Sequence, residues 1–226
     1  MNSEIFLLLG IIAIIVMVVF LYYYFNKRQI VKRKLKKTIT TKMSDFQNGE
    51  IAKIVGKVEI IGEPLIAPLS KRKCAYYYVL IERQLSSGRL EKIIEEEITG
   101  TFVIKDGRNI AYVNGENIKS YIVQDRIYTT GHFNNPTENL EKYLCKHGLE
   151  TEGILGFNEI LRYKEGVLES GETIAVIGKG EWKRAEQEKL PDNYGRILSI
   201  TSTNAQPIYL SDDPDTVINI DMKHQF

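Results

Sequence analysis

"KIIEEEITGTFVIKDGRNIAYV", Lys92 to Val113, decides the fold class. β-Branched and aromatic residues interleave with charged ones on either side of two turn signals, Ile98-Thr99-Gly100 and Asp106-Gly107. A period of two places alternate side chains on opposite faces of a strand, and an Asp-Gly pair is a strong hairpin signal. The stretch therefore reads as two or three short strands joined by tight turns.

Working outward, the same pattern recurs. "EIAKIVGKVEII" (50–61), "AYYYVLIERQL" (75–85), "IKSYIV" (118–123) and "RIYTT" (126–130) read as strands. So do the two alternating runs of "EILRYKEGVLESGETIAVIGKGEWK" (159–183), split by the tight turn Ser170-Gly171-Glu172. "RILSITS" (196–202), "PIYLS" (207–211) and "TVINI" (216–220) end the chain as strands. One segment, "NNPTENLEKYLCKHG" (134–148), has helical spacing: Leu140, Tyr143 and Leu144 share a face, with Asn135 as cap, Pro136 as first helical residue and Gly148 beyond the end. Cys145 beside that stripe is expected in the core or at its edge. The expected fold is mainly β (α+β): an antiparallel, strand-rich barrel- or sandwich-like domain with one or two helices.

The N-terminus differs. "IFLLLGIIAIIVMVVFLYYYF", Ile5 to Phe25, carries no charge. At ~1.5 Å per residue it rises roughly 31 Å, the thickness of a bilayer core. The acidic start (Glu4) and the absence of a small-residue cleavage site argue against a signal peptide, so the run reads as a transmembrane helix. Eight Lys and Arg between Lys27 and Lys42 follow it, which places the N-terminus outside and the rest in the cytoplasm, a single-pass protein of the cell membrane. The expected organisation is a tail (1–4), the span (5–25), a basic juxtamembrane segment continuing as helix and tether (26–46), the main domain (47–185) and C-terminal strands completing it (186–226).

The net charge of +1 over 226 residues hides an asymmetry. Residues 1–42 hold eight bases and one acid, +7, which leaves −6 for the remainder. The acidic body disfavours nucleic acid. Lys32, Arg33, Lys34, Lys36 and Lys37 in the neck, with Lys71, Arg72 and Lys73 in a second cluster, are candidate contacts for a partner or for anionic membrane lipid.

Candidate chemistry is thin. Two Cys and three His fall short of the eight ligands of a double zinc site, and no C-x-x-C occurs. Gly-Lys at 178–179 is followed by Gly180, where a phosphate loop needs Ser or Thr. Cys74 follows three bases that would favour a thiolate, yet no His lies near it in sequence to act as an oriented base. Glu95, Glu96 and Glu97 read as a solvated face or an edge guard. In a strand Tyr76 and Tyr78 share one face and Tyr77 takes the other. No catalytic residue, metal site or cofactor is assigned, and the partner expected is an unidentified protein, peptide or small molecule.

Three segments, in order, carry a resemblance. "EPLIAPLSKRKCAYYYV" (63–79) is similar to the Pro-Leu-x-(Ala/Ser)-Pro-x-Ser-x(3)-Cys-x-x-Tyr signature of the GIDE, or beside-a-membrane (BAM), domain, through Pro64, Pro68, Ser70, Cys74 and Tyr77. "FVIKDGRNIAYV" resembles the next strand pair of that family through Phe102 and Asp106, with Asn109 in place of the usual Gly. "RYKEGVLESGETIAVIGKGEW" resembles its ending through Glu165, Leu168, Gly171 and Gly178. Relatives include RING ubiquitin ligases of the mitochondrial outer membrane, whose activity belongs to a RING that this chain lacks. The resemblance implies a RING-less, prokaryote-like member: a membrane-anchored, non-catalytic module binding a partner, with ubiquitin-transferase-like activity or sensing of anionic lipid as alternatives.

Overall fold

A computed structural model describes residues 2–115, 117–130, 137–149 and 160–218. The hairpin predicted at Asp106-Gly107 joins β6 (Phe102–Asp106) to β7 (Asn109–Val113), with Gly107 at φ +59° in the turn. These two strands belong to a closed five-strand barrel with β1 (Ile51–Ile60), β11 (Thr173–Arg184) and β12 (Arg196–Thr201), in the order β1-β6-β7-β12-β11, closed by β1 against β11. Only β7 and β12 run parallel; every other barrel pair is antiparallel. Taken in chain order, the strands close as first, second, third, fifth, fourth, with third and fifth parallel. That is the connectivity of the OB-fold, a five-stranded Greek-key barrel.

The rest of the fold is inserted into this barrel. Between its first two strands lie β2 (Leu65–Ile66), β3 (Lys73–Cys74), β4 (Tyr76–Gln84) and β5 (Leu90–Thr99). Between its third and fourth lie β8 (Ile118–Tyr121), β9 (Arg126–Thr129), α3 (Glu138–Lys146) and β10 (Ile160–Leu168). The insertions meet as a second sheet of order β5-β4-β10-β9. A last strand, β13 (Ile208–Ser211), pairs with β11 and carries β8 at the barrel's edge.

Burial follows from this layering. Ile54, Phe102, Ile104, Val176, Leu198 and Ile200 fill the barrel, and Tyr76 and Tyr78 of β4 join that cluster from the second sheet. On the other face of β4, Tyr77, Val79 and Ile81 pack with Leu140, Tyr143 and Leu144 of α3. With both faces covered, three consecutive tyrosines are all buried. Gly178 is required by close packing: a Cβ there would sit 2.4 Å from Ile200 Cγ2. Gly171 is required by the turn before β11, at φ +92°.

The N-terminal reading is corrected. α1 covers Asn2–Tyr24 and presents its apolar side chains exposed, but among the described residues no helix is long and apolar enough to cross a membrane. The transmembrane helix, the single-pass topology, and the cell-membrane localisation with the N-terminus outside, which all rested on that span, are not supported.

The basic segment is not a tether either. Asn26 interrupts the helix at φ −58°, ψ 128°, and its side chain caps α2 (Lys27–Lys37) by accepting from Arg28 N. α2 buries Val31 and Leu35 against Ala175, Ile177 and Tyr209. It lies on the body as an arm.

Three smaller expectations also change. α3 is capped by Thr137, whose hydroxyl accepts from Leu140 N; Asn135 and Pro136 lie outside the described residues. Cys145 is exposed, because one residue beyond Leu144 turns about 100° away from the apolar stripe. "TVINI" does not begin as a strand: Asp213 caps a short helix, α4 (Pro214–Val217), and Pro214 at its first position overrides the β-branched residues that follow. Asn219 and Ile220 lie outside the described residues.

Candidate functional site

The first resemblance segment forms a small pinned loop. β2 pairs with β3, and residues 67–72 bulge between them with Lys71 in the left-handed region at φ +61°. Glu165 of β10, 2% exposed, accepts from Leu69 N at 2.8 Å and Ser70 N at 3.0 Å. Ser70 Oγ accepts from Arg72 Nε at 3.3 Å, and Arg72 reaches Glu169 at 3.0 Å and also Asp125. The structure thus brings Pro68, Ser70, Arg72, Cys74 and Glu165 together, and it leaves Phe102, Asp106 and Gly178 on barrel strands and Gly171 in a turn.

This cluster holds a loop in place and offers no nucleophile. Cys74 is fully buried, with Sγ 3.6 Å from the Leu65 carbonyl. Burial, and then the charge of Glu165, push its thiol up to about 11, the opposite of an activated cysteine. Iodoacetamide is expected to modify Cys145 in the folded chain and Cys74 only after unfolding, read by peptide mass mapping. Modification of Cys74 at the rate of Cys145 in native protein would contradict this burial.

The acidic triplet lies on the edge strand β5, with Glu95 and Glu97 exposed and Glu96 half-buried, and it also takes hydrogen bonds from β4. Tyr76, Tyr77 and Tyr78 donate to Glu97 (2.8 Å), Glu96 (3.2 Å) and Glu95 (3.1 Å) across the β4–β5 pair. Glu96 also takes the Tyr143 hydroxyl at 2.8 Å, tying α3 to the sheet. Burial, with the facing carboxylates adding, pushes the Tyr77 phenol up to about 12. The sequence signal was visible as two triplets, Tyr76–Tyr78 and Glu95–Glu97, but their register was not.

Three of the five neck candidates meet the body, and a fourth meets α1. Lys32 meets Asp213 at 2.7 Å, and Lys36 meets Asp215 at 3.2 Å. The hydrogen bond to Asp213 holds the Lys32 ammonium above its usual range. Lys34 lies 4.6 Å over the Tyr209 ring, and Arg33 lies 3.7 Å over Tyr24. Lys37, Lys71 and Lys73 are exposed. Of the eight basic candidates, five therefore have a carboxylate or ring of this chain against them.

One open concavity stands out. A cleft of about 890 Å³ lies where the N-terminal end of α2 meets β4, β5 and residues 121–124. Its apolar wall includes Leu80, Leu90, Ile122 and Val123. Arg28 enters it with its guanidinium 4.3 Å from the Tyr78 ring centre and 5.3 Å from that of Tyr121. Arg28 Nη2 donates to the Ile122 carbonyl, and among the described residues Nη1 has no hydrogen-bond partner. Neither Arg28 nor this cleft was singled out from sequence, since its walls come from six separate segments.

The outer face of the second and third barrel strands, where OB-fold barrels take ligands, is covered by this chain. Residues 185–194, between β11 and β12, place Ala185 and Leu190 on Val103 and Ile197, with Ile110 and Tyr112 packed around them. Tyr194 OH donates to Glu59 at 2.8 Å, and Glu188 accepts from Ser199 at 2.8 Å.

Beyond the cleft, Asp212 accepts from Val123 N at 2.8 Å. Burial pushes its carboxyl up to about 7. The folded chain then holds a proton that the unfolded chain, at 3.8, has lost. Stability from this group is full below pH ~4 and is lost as pH rises to ~7. Asp212→Asn is expected to stabilise the chain by about 1–2 kcal/mol at pH 8 and by nothing measurable at pH 4. Thermal unfolding across that range reads the difference, and an equal effect at both pH values would refute the assignment.

No known family, curated protein or solved structure matches the chain.

Proposed function

We propose that this chain is a non-catalytic binding module of the RING-less GIDE/BAM type, and that its ligand, a small molecule or a segment of a partner protein, occupies the cleft between α2 and the second sheet. The cleft carries the reading. At about 890 Å³ it falls within the range of ligand sites. The face that this barrel type ordinarily offers is filled by residues 185–194. Cys74, the one thiol in the resemblance segments, is sealed and protonated.

Amide hydrogen exchange over residues 78–82 and 121–124 tests the reading. The full chain is titrated with anionic, cationic and neutral amphiphiles and with short peptides. At least one class is expected to slow exchange there, and Leu90→Trp, which fills the cleft, is expected to remove the effect. Protection by no class, together with turnover of a substrate that depends on Cys74, would overturn it.

A further inference from the structure

The charges around the cleft decide what it takes. Three carboxylates reach it, Glu82, Glu95 and Asp213, and each is already satisfied. Glu82 holds Arg162 at 2.8 Å and Lys164 at 3.2 Å. Glu95 accepts from Lys92 and Tyr78, and the Lys92 hydrogen bond keeps its carboxyl below the usual range. Asp213 is bound by Lys32 at 2.7 Å and caps α4.

The cations are not matched in the same way. Arg28 faces two tyrosine rings and one carbonyl, and among the described residues no carboxylate pairs with it. Lys27 is exposed at the mouth and reaches Glu95 only through its field. Both lie in the first turn of α2, which holds no acidic residue, so the positive end of the helix adds to them. Leu80, Leu90 and Val123 give the cleft apolar lining, and residues 121–123 lie directly beside Arg28. The site therefore places positive charge with no carboxylate against Arg28 next to apolar lining.

We infer that the cleft binds an anionic amphiphile, a molecule with one phosphate or carboxylate head and an apolar tail. The head sits at Lys27 and Arg28, and the tail lies along Leu80, Leu90 and Val123. This inference rests on the cleft being the binding site and adds the class of ligand. The head needs only an anion with acceptor oxygens, which phosphate and carboxylate both supply. The tail supplies the burial that a bare anion lacks.

The test uses the full chain and dodecyl phosphate, with dodecanoate, inorganic phosphate and dodecyltrimethylammonium as comparisons. Exchange is followed peptide by peptide, so that association with the apolar α1 is read separately from the cleft. Dodecyl phosphate is expected to slow exchange over residues 78–82 and 121–124 about tenfold at ~10 times its Kd. Dodecanoate should act in the same place, and its strength relative to dodecyl phosphate identifies the preferred head. Inorganic phosphate should protect far less, and the cationic amphiphile not at all. Lys27→Glu, a change at an exposed position, should weaken dodecyl phosphate about fivefold or more.

Equal protection by the cationic amphiphile, or no effect of Lys27→Glu, would overturn the inference while leaving the cleft as a binding site. Protection by inorganic phosphate as strong as by dodecyl phosphate would overturn the amphiphile. Protection by every probe only on α1 would overturn both the inference and the proposed function beneath it.

Discussion

Replacing Glu165 with leucine is expected to lower the unfolding free energy by about 3 kcal/mol, the largest loss foreseen for any single substitution here. The carboxylate is 2% exposed and is the acceptor for two loop amides, Leu69 N and Ser70 N. Leucine matches its bulk but accepts nothing, so two N–H groups lose their partner in a buried setting. The loop must then move out to water, and it takes with it the cover of Cys74. Glu165→Gln keeps one acceptor oxygen and should lose roughly 1 kcal/mol. Chemical denaturation measures both, and Cys74 alkylation in the leucine variant should rise in parallel. A loss under about 1 kcal/mol for leucine would show that the loop is held by other contacts.

The second large effect has the opposite sign. Lys53 of β1 is fully buried, and among the described residues its Nζ has no hydrogen-bond partner. Its strand neighbour on β11 is Ile177, and the chain from Thr40 crosses it as an isolated bridge. Burial holds its amine below the ordinary 10.5. The folded chain therefore gives up its proton more readily than the unfolded one. Over the interval below pH 10.5, the unfolded state binds more protons, and stability rises with pH. Lys53→Met keeps the length, removes the stranded amine and is expected to stabilise by about 2 kcal/mol near pH 7. The gain should shrink as pH approaches 10.5. Denaturation curves at several pH values read it. Destabilisation at every pH would mean that the amine makes an essential contact.

The strands were legible because alternation and turn chemistry are local. Asp106-Gly107 places a hairpin, and Gly171 a tight turn, by the backbone angles those positions demand. Barrel closure was not legible. It depends on β1 pairing with β11 and β7 with β12 over long separations, which periodicity does not encode. The tyrosine and glutamate triplets were each visible, yet their meaning needed the β4–β5 register. Glu95–Glu97 read as a solvated face or an edge guard, and they do lie on an edge strand with Glu95 and Glu97 exposed; what the register adds is that each also takes a phenol hydroxyl.

The basic neck misled in a similar way. Read alone, Lys32 and Lys36 look available to an outside anion. Asp213 and Asp215 occupy them. Lys27 and Arg28, at the start of the same helix, line the cleft, and among the described residues no carboxylate is paired with Arg28. Cys145 failed for a geometric reason: adjacency to an apolar stripe in sequence is a turn of about 100° away from it on a helix.

The central claim is that the cleft, and not the barrel, is where this chain binds. Methyl resonances of Leu80, Leu90, Ile122 and Val123, followed while dodecyl phosphate is added to the full chain, test it most directly. The account predicts saturable shifts at these four, reduced by Lys27→Glu, with Ile54 and Ile104 inside the barrel unmoved. Shifts centred on Val103, Ile110 and Ile197, or none at the four cleft methyls, would contradict it.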